Sequence, residues 1–370
     1  MKMNKHDLDT PCIVLDLDIL EENLGKMQAS AKAAGKNLRP HAKSHKCSIL
    51  AKKQLAAGAI GICAAKVSEA EVLINAGVDG VLVTGAVAVD HKVGRLVGLL
   101  RKSPSLMAVI DHPQNVELLE RLLAKHDLCM DVLVDLDVGL QRTGILPGKA
   151  LELADLVLAS DHIRLKGIQA YAGHVQHIHH YGERRKASIE SLKRAAAVFR
   201  KLQAKDASCT IFSGTGTGTY DIDLSVSELT ELQVGSYALM DAEYMAIESA
   251  GHTGLADYFR PALTLLTTVV SASHNTHVTI DAGLKSLYKD GAQPIVVTAE
   301  HAALRYDWFG DEYGMLSAKD KAVTLPQLGT VLELVVSHCD PTVNQFDSYY
   351  IIRKGRVVDV WPIDLRGKSQ

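Results

Sequence analysis

No stretch of the 370-residue sequence holds the roughly 18 consecutive apolar residues that a membrane-spanning helix requires, so no membrane segment is predicted. Basic residues form no run and no aromatic-spaced stripe, and the net charge is −3, which gives no indication of nucleic-acid binding. The six cysteines lack a C-x-x-C pair, and no apolar stretch follows the charged N-terminus. These absences argue against a disulfide framework and a signal peptide, and favour a protein of the reducing cytoplasm.

Short apolar runs that alternate with amphipathic stretches dominate the first two thirds of the sequence. Continuous apolar runs are typical of parallel strands covered on both faces. Eight runs are predicted as strands, at residues 38–43, 60–65, 80–84, 106–111, 131–137, 166–171, 210–213 and 232–237. Helices are predicted between them, among them residues 67–76, 114–125 and 183–205. Eight strand–helix units predict an α/β protein built on a closed (β/α)8 TIM barrel.

The pattern changes near residue 255, where β-branched runs replace the alternation of strands and helices. Further strands are predicted at residues 263–270, 278–281, 295–298, 331–337 and 349–360, and an N-terminal strand at 8–17. We therefore predict a barrel over residues 18–250 and a mainly antiparallel β domain over residues 255–370, joined by the N-terminal strand.

The most distinctive segment reads RPHAKSHK, at residues 39–46, where the first predicted strand ends. Lys43 lies there among Arg39, His41, His45 and Lys46. Nearby cations or burial lower the pKa of a lysine and make it a nucleophile. Because barrel enzymes carry their chemistry at the C-terminal ends of the strands, Lys43 is a candidate catalytic residue. A solvated basic loop is the alternative.

Two glycine-containing loops follow the seventh and eighth predicted strands. The first reads SGTGTGT at 213–219, and the second reads QVGSY at 233–237. Glycines let backbone N–H groups approach a phosphate closely, and barrels commonly bind phosphate with these two loops. Neither loop is a Walker motif. The two together predict a phosphate site, with a flexible glycine linker as the alternative.

A candidate metal site follows the apolar run at 331–336, in the sequence HCDPT at 338–342. If the strand continues, residues two apart face the same side, so His338 and Asp340 point together and Cys339 points away. One imidazole and one carboxylate leave positions open for water and substrate. A turn with a satisfied histidine is the alternative.

Two further segments are predicted to lie at the same mouth of the barrel. Arg142 follows the fifth strand and could bind an anionic oxygen. Tyr171 ends the sixth strand, and His174 and His177 follow it.

These motifs resemble those of the D-threonine aldolase and D-serine dehydratase family, relatives of alanine racemase. The resemblance runs from about residue 10 to residue 367 and includes KVSEA at 66–70, QAY at 169–171, TELQVGSY at 230–237 and DAGLK at 281–285. It implies fold type III: a barrel that carries pyridoxal phosphate on a lysine, a C-terminal β domain and a homodimer.

The resemblance also assigns roles to residues of this sequence. Lys43 matches the lysine that bonds the cofactor, and His177 matches the histidine proposed as the base in aldolases. Arg142 and Tyr171 match residues near the phenolic oxygen and the pyridine nitrogen of the cofactor. Matches to the phosphate-binding residues are Gly216, Thr217, Gly218, Gly235, Ser236 and Tyr237, and matches to the metal ligands are His338 and Asp340.

The resemblance favours one reaction within the family. Dehydratases there resemble His-x-Cys and aldolases resemble His-x-Asp, so Asp340 favours a metal-dependent aldolase that uses Mn²⁺, Mg²⁺ or Zn²⁺. We expect it to cleave D-threonine-like D-3-hydroxy-amino acids to glycine and an aldehyde. Tyr313, where many relatives carry histidine, keeps open a D-serine or D-3-hydroxyaspartate dehydratase, and a racemase remains the nearest alternative on the same fold.

Two readings from other classes are weaker. A protein that merely stores pyridoxal phosphate would not need the region after residue 255 or the His-x-Asp pair. A hydrolytic barrel with metal on His41, His45, His174 and His177 would leave both glycine-containing loops without a role.

Overall fold

Eight short parallel strands form a sheet whose two ends meet. The computed structural model describes residues 3–251, 254–318 and 323–370. The strands are β2 (Asn37–Leu38), β3 (Ile62–Ala64), β4 (Val81–Val83), β5 (Met107–Ile110), β6 (Met130–Asp135), β7 (Ile163–Ala170), β8 (Ile211–Gly214) and β9 (Glu231–Leu232). Their order in the sheet is β2-β9-β8-β7-β6-β5-β4-β3. A parallel bridge from His41 to Cys63 then joins the two ends, which confirms the predicted (β/α)8 barrel.

Helices cover the outside of the barrel. They are α1 (Leu17–Ala33), α2 (Ser48–Ala56), α3 (Val67–Asn75), α4 (Asp90–Leu100), α5 (Pro113–Ala124), α6 (Ala150–Leu158), α7 (Tyr181–Lys205), α8 (Tyr220–Asp223) and α9 (Ala242–Met245). The three helices predicted with bounds are therefore confirmed to within two residues. No helix in the described ranges is both long enough and apolar enough to cross a membrane.

Helix α1 illustrates how local sequence sets these elements. Asp16 caps it, since its Oδ1 accepts a hydrogen bond of 3.1 Å from the backbone N–H of Ile19. Leu20, Leu24 and Met27 then recur at helical spacing and are buried against the barrel.

The first and last strands of the barrel are shorter than predicted. The prediction of strand over 38–43 is wrong after Leu38: only single ladder contacts continue, as far as His41, and Ala42–Ser44 then turns into a 3-10 helix. The prediction over 232–237 likewise fails after Leu232, where Ser236–Ala238 forms another 3-10 turn. Both turns lie at the mouth of the barrel, and both carry candidate site residues.

A second, nine-stranded sheet contains the strands that lie beyond the barrel and one from the N-terminus. Its members are β1 (Cys12–Asp16), β10 (Leu263–Ser271), β11 (His277–Ile280), β12 (Ile295–Val296), β13 (Leu304–Trp308), β14 (Gly314–Ala318), β15 (Val331–Val335), β16 (Ser348–Arg353) and β17 (Arg356–Pro362). The pairing is antiparallel throughout except between β1 and β16. The mainly antiparallel prediction is thus confirmed.

The hairpin from β16 to β17 shows why the last run folds back. Lys354 and Gly355 connect the strands with φ angles of 51° and 73°, which suit the right-handed twist of a two-residue hairpin.

One hydrophobic core runs from the barrel into the second sheet. Short helix α10 (Cys339–Val343) follows β15 and packs against the Ala42–Ser44 turn. Nearby, the hydroxyl of Tyr349 donates a 2.6 Å hydrogen bond to the carbonyl oxygen of His45. The second sheet therefore delivers residues 338–340 to the mouth of the barrel. All six cysteines are free thiols.

Candidate active site

A cavity of about 510 Å³ opens at the C-terminal ends of the barrel strands. Of the predicted site residues, its wall includes Lys43, Arg142, Tyr171, Gly216, Thr217, Gly235 and Ser236. Gly218, Tyr237, His177, His338 and Asp340 are not part of this wall. The structure thus brings the predicted cofactor residues together around one cavity, with the predicted metal ligands at its edge.

Lys43 forms an ion pair with Asp340, from Nζ to Oδ2. Burial disfavours the charged lysine, but the Asp340 carboxylate outweighs burial, so the pKa of Lys43 is raised. Burial also opposes ionisation of Asp340, yet Lys43 and His338 hold the pKa of Asp340 well below its usual range. The predicted lowering of the pKa of Lys43 is therefore wrong in this state of the protein. The carboxylate of Asp340 sets the direction of the pKa shift of Lys43, and Asp340 lies far from Lys43 in the sequence.

The cations expected to act on Lys43 are engaged elsewhere or neutral. Arg39 forms a buried ion pair with Glu231 at 2.8 Å, and Lys46 pairs with Glu69 at 2.6 Å. Burial lowers the pKa of His45 to about 4, and lowers that of His41 well below its usual value. Both imidazoles are thus neutral near pH 7. The basic residues of segment 39–46 therefore each have their own structural partner or are neutral, and they do not form a shared positive charge around Lys43.

The two glycine-containing loops present unused backbone donors to the cavity. Within the described ranges, the N–H groups of Gly216, Thr217, Gly235 and Ser236 donate to no acceptor of the protein. Four free donors on two facing loops fit a phosphate, which needs such donors and accepts from all of them. This arrangement supports the predicted phosphate site over a flexible glycine linker.

Two of the predicted phosphate residues have a different task. The N–H of Gly218 donates to Gln176 Oε1 at 3.0 Å, and the N–H of Tyr237 donates to Thr217 Oγ1 at 3.0 Å. Their donors are consumed inside the protein, so these residues brace the loops. A Cβ atom at Gly218 would lie 2.0 Å from the carbonyl oxygen of Gln176, so only glycine fits there. Thr215, one turn earlier, has a φ of 77°, which is strained for a β-branched residue.

Arg142 and Tyr171 lie next to each other in the wall of the cavity. The guanidinium carbon of Arg142 is 5.9 Å from the centre of the Tyr171 ring, a cation–π arrangement. Asp137 shapes the loop that carries Arg142, because its Oδ1 accepts hydrogen bonds from the N–H groups of Gly139 and Gln141. The sequence reasoning did not single out Asp135 beneath them. Burial raises its pKa to about 6, although Gln169 and then Thr143 donate hydrogen bonds that oppose the rise.

His338 and Asp340 come together by a route other than the predicted one. The prediction that they share one face of a strand is wrong, because β15 ends at Val335 and residues 339–343 form α10, with His338 as its N-cap. The imidazole Nε2 of His338 lies 4.0 Å from Oδ1 of Asp340. On the other side of the ring, Nδ1 of His338 lies 3.1 Å from Oδ2 of Asp290.

This donor set fits a divalent cation with open positions. One imidazole and one carboxylate suit Mn²⁺ or Zn²⁺, and a carboxylate on the far nitrogen of the histidine is the usual support for such a ligand. Among the described residues, no group of three or more His, Cys, Asp or Glu side chains is arranged to hold a metal ion. Any ion held here would take the rest of its ligands from water and substrate.

His177 lies close to this pair of residues. Its ring packs against Tyr244, with 4.7 Å between ring centres, and its Nδ1 is buried without a hydrogen-bond partner in the described structure. Glu243 Oε1 is 3.1 Å from that nitrogen but out of line for a hydrogen bond. Burial lowers the pKa of His177, and the carboxylate of Asp241 opposes this shift only in part. A neutral imidazole is a proton acceptor, as a base requires.

Sequence reasoning missed Asp241, which positions the segment that carries the predicted metal ligands. Asp241 is fully buried, and its two oxygens accept hydrogen bonds from the N–H of Tyr244 at 3.0 Å and of Cys339 at 2.9 Å. The carboxylate ties α9 to the start of α10. Nothing in the sequence marks it, because the contact spans 98 positions.

Comparisons with known proteins identify the family of the chain. The family model of the alanine racemase N-terminal domain matches residues 15–243, and that of a putative serine dehydratase domain matches residues 262–352. The chain is 38 % identical over 365 residues to the D-threonine aldolase of an Arthrobacter species, covering 98 % of this chain and 94 % of the relative. It is 35 % identical over 370 residues to the 3-hydroxy-D-aspartate aldolase of Paracoccus denitrificans, covering 99 % and 94 %. The chain belongs to the D-threonine aldolase and D-serine dehydratase family, within the alanine racemase-like proteins.

Solved structures give the same placement. The crystal structure of the D-threonine aldolase from Filomicrobium marinum superposes with a TM-score of 0.93 at 34 % identity, covering 100 % of this chain and 98 % of the other. The D-threo-3-hydroxyaspartate dehydratase of a Delftia species, at 23 % identity and a TM-score of 0.84, shares the fold. The prediction of a fold type III enzyme of the aldolase class, a lyase, is confirmed, and pyridoxal phosphate is the cofactor this family implies.

Proposed function

We propose that this protein cleaves D-3-hydroxy-amino acids, such as D-threonine, to glycine and an aldehyde. It would use pyridoxal phosphate on Lys43 and a divalent cation, Mn²⁺, Mg²⁺ or Zn²⁺, on His338 and Asp340. The observation that carries the proposal is the contact of Lys43 with Asp340. This contact places the nitrogen that would bond the cofactor beside the carboxylate that would bind the metal. One small amino acid could therefore reach both.

The cavity wall supports the placement of the cofactor. The free N–H groups of Gly216, Thr217, Gly235 and Ser236 would hold its phosphate. Gly218 and Tyr237 would hold these loops in shape. Arg142 would face the phenolic oxygen, and Tyr171 would lie near the pyridine ring.

Each residue then has a defined task in the reaction. Bound pyridoxal phosphate supplies an electron sink for the Cα–Cβ bond pair, and a bound divalent cation lowers the pKa of the β-hydroxyl. Lys43 would be the residue that holds the cofactor before the substrate binds. His177, neutral and close to His338, takes the hydroxyl proton as the aldehyde forms. Protonation at Cα gives glycine.

The contacts of Cys339 support the aldolase over the dehydratase. Its thiol is buried, and burial raises its pKa well above the usual value, so it stays protonated. The sulfur lies 3.4 Å from Asp340 Oδ1, in a position to donate to it. The thiol is directed at Asp340 inside the protein, which supports Asp340 as the second ligand and the aldolase as the reaction.

The assembly and the compartment are further parts of the proposal. We propose a homodimer that acts in the cytoplasm on small D-amino acids, and a division into a barrel over residues 18–250 and a β domain over residues 255–370. Light scattering on the purified protein would test the dimer.

Product analysis tests the reaction. The protein is incubated with D-threonine, D-3-hydroxyaspartate or D-serine, with Mn²⁺ and again with a chelator. Glycine and an aldehyde, lost on chelation, would support the aldolase. A keto acid and ammonia would instead indicate a dehydratase, and racemization that resists chelation would indicate a racemase.

Two variants sharpen this test. Asp340→Asn removes the carboxylate charge and should abolish metal-dependent cleavage, whereas Cys339→Ala should keep it. If Cys339→Ala lost metal dependence and Asp340→Asn kept it, the assignment of the second ligand would be wrong.

A further inference from the structure

Arg184, near the start of α7, is the residue that connects the two halves of the candidate site. Its side chain is buried, with 1 % of the residue exposed. Nε donates to the carbonyl oxygen of Gly218 at 2.7 Å. Nη1 donates to the carbonyl oxygens of Ile178 at 2.5 Å and His179 at 3.0 Å, and Nη2 donates to that of Glu248. One planar group therefore fastens three segments of backbone.

Two of these segments matter for the proposed reaction. Gly218 belongs to the loop that follows β8 and offers free N–H groups to the cavity. Ile178 and His179 directly follow His177, the proposed base. The guanidinium thus fixes the phosphate loop and the base-carrying segment, residues 176–180, in one frame.

Gln176 supports the same connection from the other side. Its Oε1 accepts from the N–H of Gly218 at 3.0 Å, and its Nε2 donates to Thr219 Oγ1 at 3.0 Å. Arg184 therefore bonds to the carbonyl oxygen of Gly218, and Gln176 bonds to its N–H group. A shift of the loop would also shift the segment that carries His177.

The charge of Arg184 is unusual for a buried cation. Among the described residues, no carboxylate oxygen lies within ion-pair distance of it. The Tyr181 ring centre lies 5.7 Å from its guanidinium carbon, and the carboxylates of Asp221 and Glu248 attract it only from farther away. Burying a cation that is bonded only to carbonyl oxygens is costly. A phosphate dianion on the free N–H groups of Gly216 and Thr217 would offset part of this cost.

We propose that Arg184 is a positioning residue that couples cofactor retention to the placement of His177. This inference rests on the proposed function for the role of His177, but its cofactor part is independent of the reaction. Loss of the guanidinium loosens the phosphate loop and the base together. A lysine could bond one or two of the carbonyl oxygens but not span all four.

The test compares Arg184→Ala and Arg184→Lys with the wild-type holoenzyme. Pyridoxal phosphate affinity is titrated by absorbance without substrate, and kcat and KM are measured with D-threonine. For Arg184→Ala we expect a Kd for the cofactor that is higher by about tenfold or more, as the loss of a charged hydrogen bond implies. We expect kcat to fall as well at saturating cofactor, with Arg184→Lys intermediate. Millimolar guanidinium chloride should restore Arg184→Ala in part, whereas equal sodium chloride should not.

Arg200→Ala is the matched control. Arg200 lies on the same helix but pairs at the surface with Glu228, so both constants should stay at the wild-type values.

A purely structural arginine would behave differently. Arg184→Ala would then unfold at lower urea, while the folded protein kept its cofactor Kd and kcat and showed no response to guanidinium. That result would overturn the inference. If Arg184→Ala does not fold, the cofactor Kd and kcat of Arg184→Lys are compared with those of wild type instead. Wild-type values of both constants would then overturn the inference. If wild type binds pyridoxal phosphate but cleaves no D-3-hydroxy-amino acid, the proposed function fails while the cofactor arm still tests Arg184.

Discussion

Lys43 and Asp340 are 297 positions apart in the chain, yet Nζ of the lysine and Oδ2 of the aspartate form an ion pair. The barrel supplies the lysine, and the start of α10 supplies the carboxylate. A cofactor bonded to Lys43 would use the same nitrogen and would draw it away from Asp340. The carboxylate of Asp340 would then be free to bind a divalent cation. The cofactor on Lys43 and the metal ion on Asp340 would together replace the ion pair between these two residues.

A first prediction follows for Lys43→Ala. Without the ammonium group, Asp340 has no partner to displace, so Mn²⁺ should bind the cofactor-free variant several-fold more tightly than cofactor-free wild type. Electron paramagnetic resonance of free Mn²⁺ measures this directly. The variant should also lose the absorbance of covalently bound cofactor. Equal Mn²⁺ affinities would show that the ion pair does not compete with the metal.

A second prediction concerns Asp290, whose carboxylate lies beside Nδ1 of His338. A carboxylate there fixes the ring and leaves Nε2 facing Asp340, an arrangement that is worth about 10- to 100-fold in metal affinity. Asp290→Asn should weaken Mn²⁺ binding by a factor in this range. Glu312→Gln, which removes a surface ion pair with Lys285, is the control. Unchanged Mn²⁺ affinity in Asp290→Asn would remove Asp290 from the site.

The phosphate loop gives a third prediction. Gly218→Ala would push a Cβ atom to 2.0 Å from the carbonyl oxygen of Gln176, so the loop must shift and the cofactor Kd should rise. Gly94→Ala in α4 meets nothing within 4 Å and should stabilise the protein by about 0.5–1 kcal/mol, with no change in the Kd. Absorbance titration and urea unfolding separate the two effects. A wild-type Kd in Gly218→Ala would mean that the loop does not hold the cofactor.

Asp223 gives a fourth prediction, on stability against pH. Burial raises its pKa to about 6, although Ser188 and then Thr219 donate hydrogen bonds to it. The folded state therefore binds this proton more tightly than the unfolded chain. The free energy of unfolding should therefore rise as the pH falls from about 6 to about 4, by roughly 3 kcal/mol from this group. Above about pH 6 the buried carboxylate is charged, and its full destabilisation of the folded state is present.

Asp223→Asn cannot titrate and should lack this rise. Urea unfolding of both proteins across the same pH range supplies the measurement, and only the slopes are compared, since asparagine also loses an acceptor. If the free energy of unfolding changed with pH equally in both proteins, Asp223 would have an ordinary pKa in the folded protein.

The sequence predicted the barrel well because each strand is a local signal. A buried parallel strand is an apolar run, so β3 to β8 were all located. The ends of β2 and β9 were predicted too far along the chain, because each strand is followed closely by a 3-10 helix, Ala42–Ser44 and Ser236–Ala238, instead of an extended segment.

The chemistry of single residues was predicted less well. Lys43 was located from its own segment, but the sign of its pKa shift was wrong because Asp340 lies far away in sequence. Asp241 and Arg184 bond to backbone groups, which every residue has, so no sequence pattern marks them. His338 and Asp340 were correctly paired in space, but by a helix N-terminus and not by a strand.

Strand β1 has a consequence for the order in which the chain folds. Val14 pairs with Thr264 on one side and with Tyr350 on the other, so the strand partners of this segment lie about 250 and 336 positions further along the chain. The sheet that delivers Asp340 cannot assemble until residues near 350 are available. Such long-range closure is slow. Strands β3 to β9 of the barrel pair with near neighbours in sequence and can therefore form before the sheet that carries Asp340 is complete.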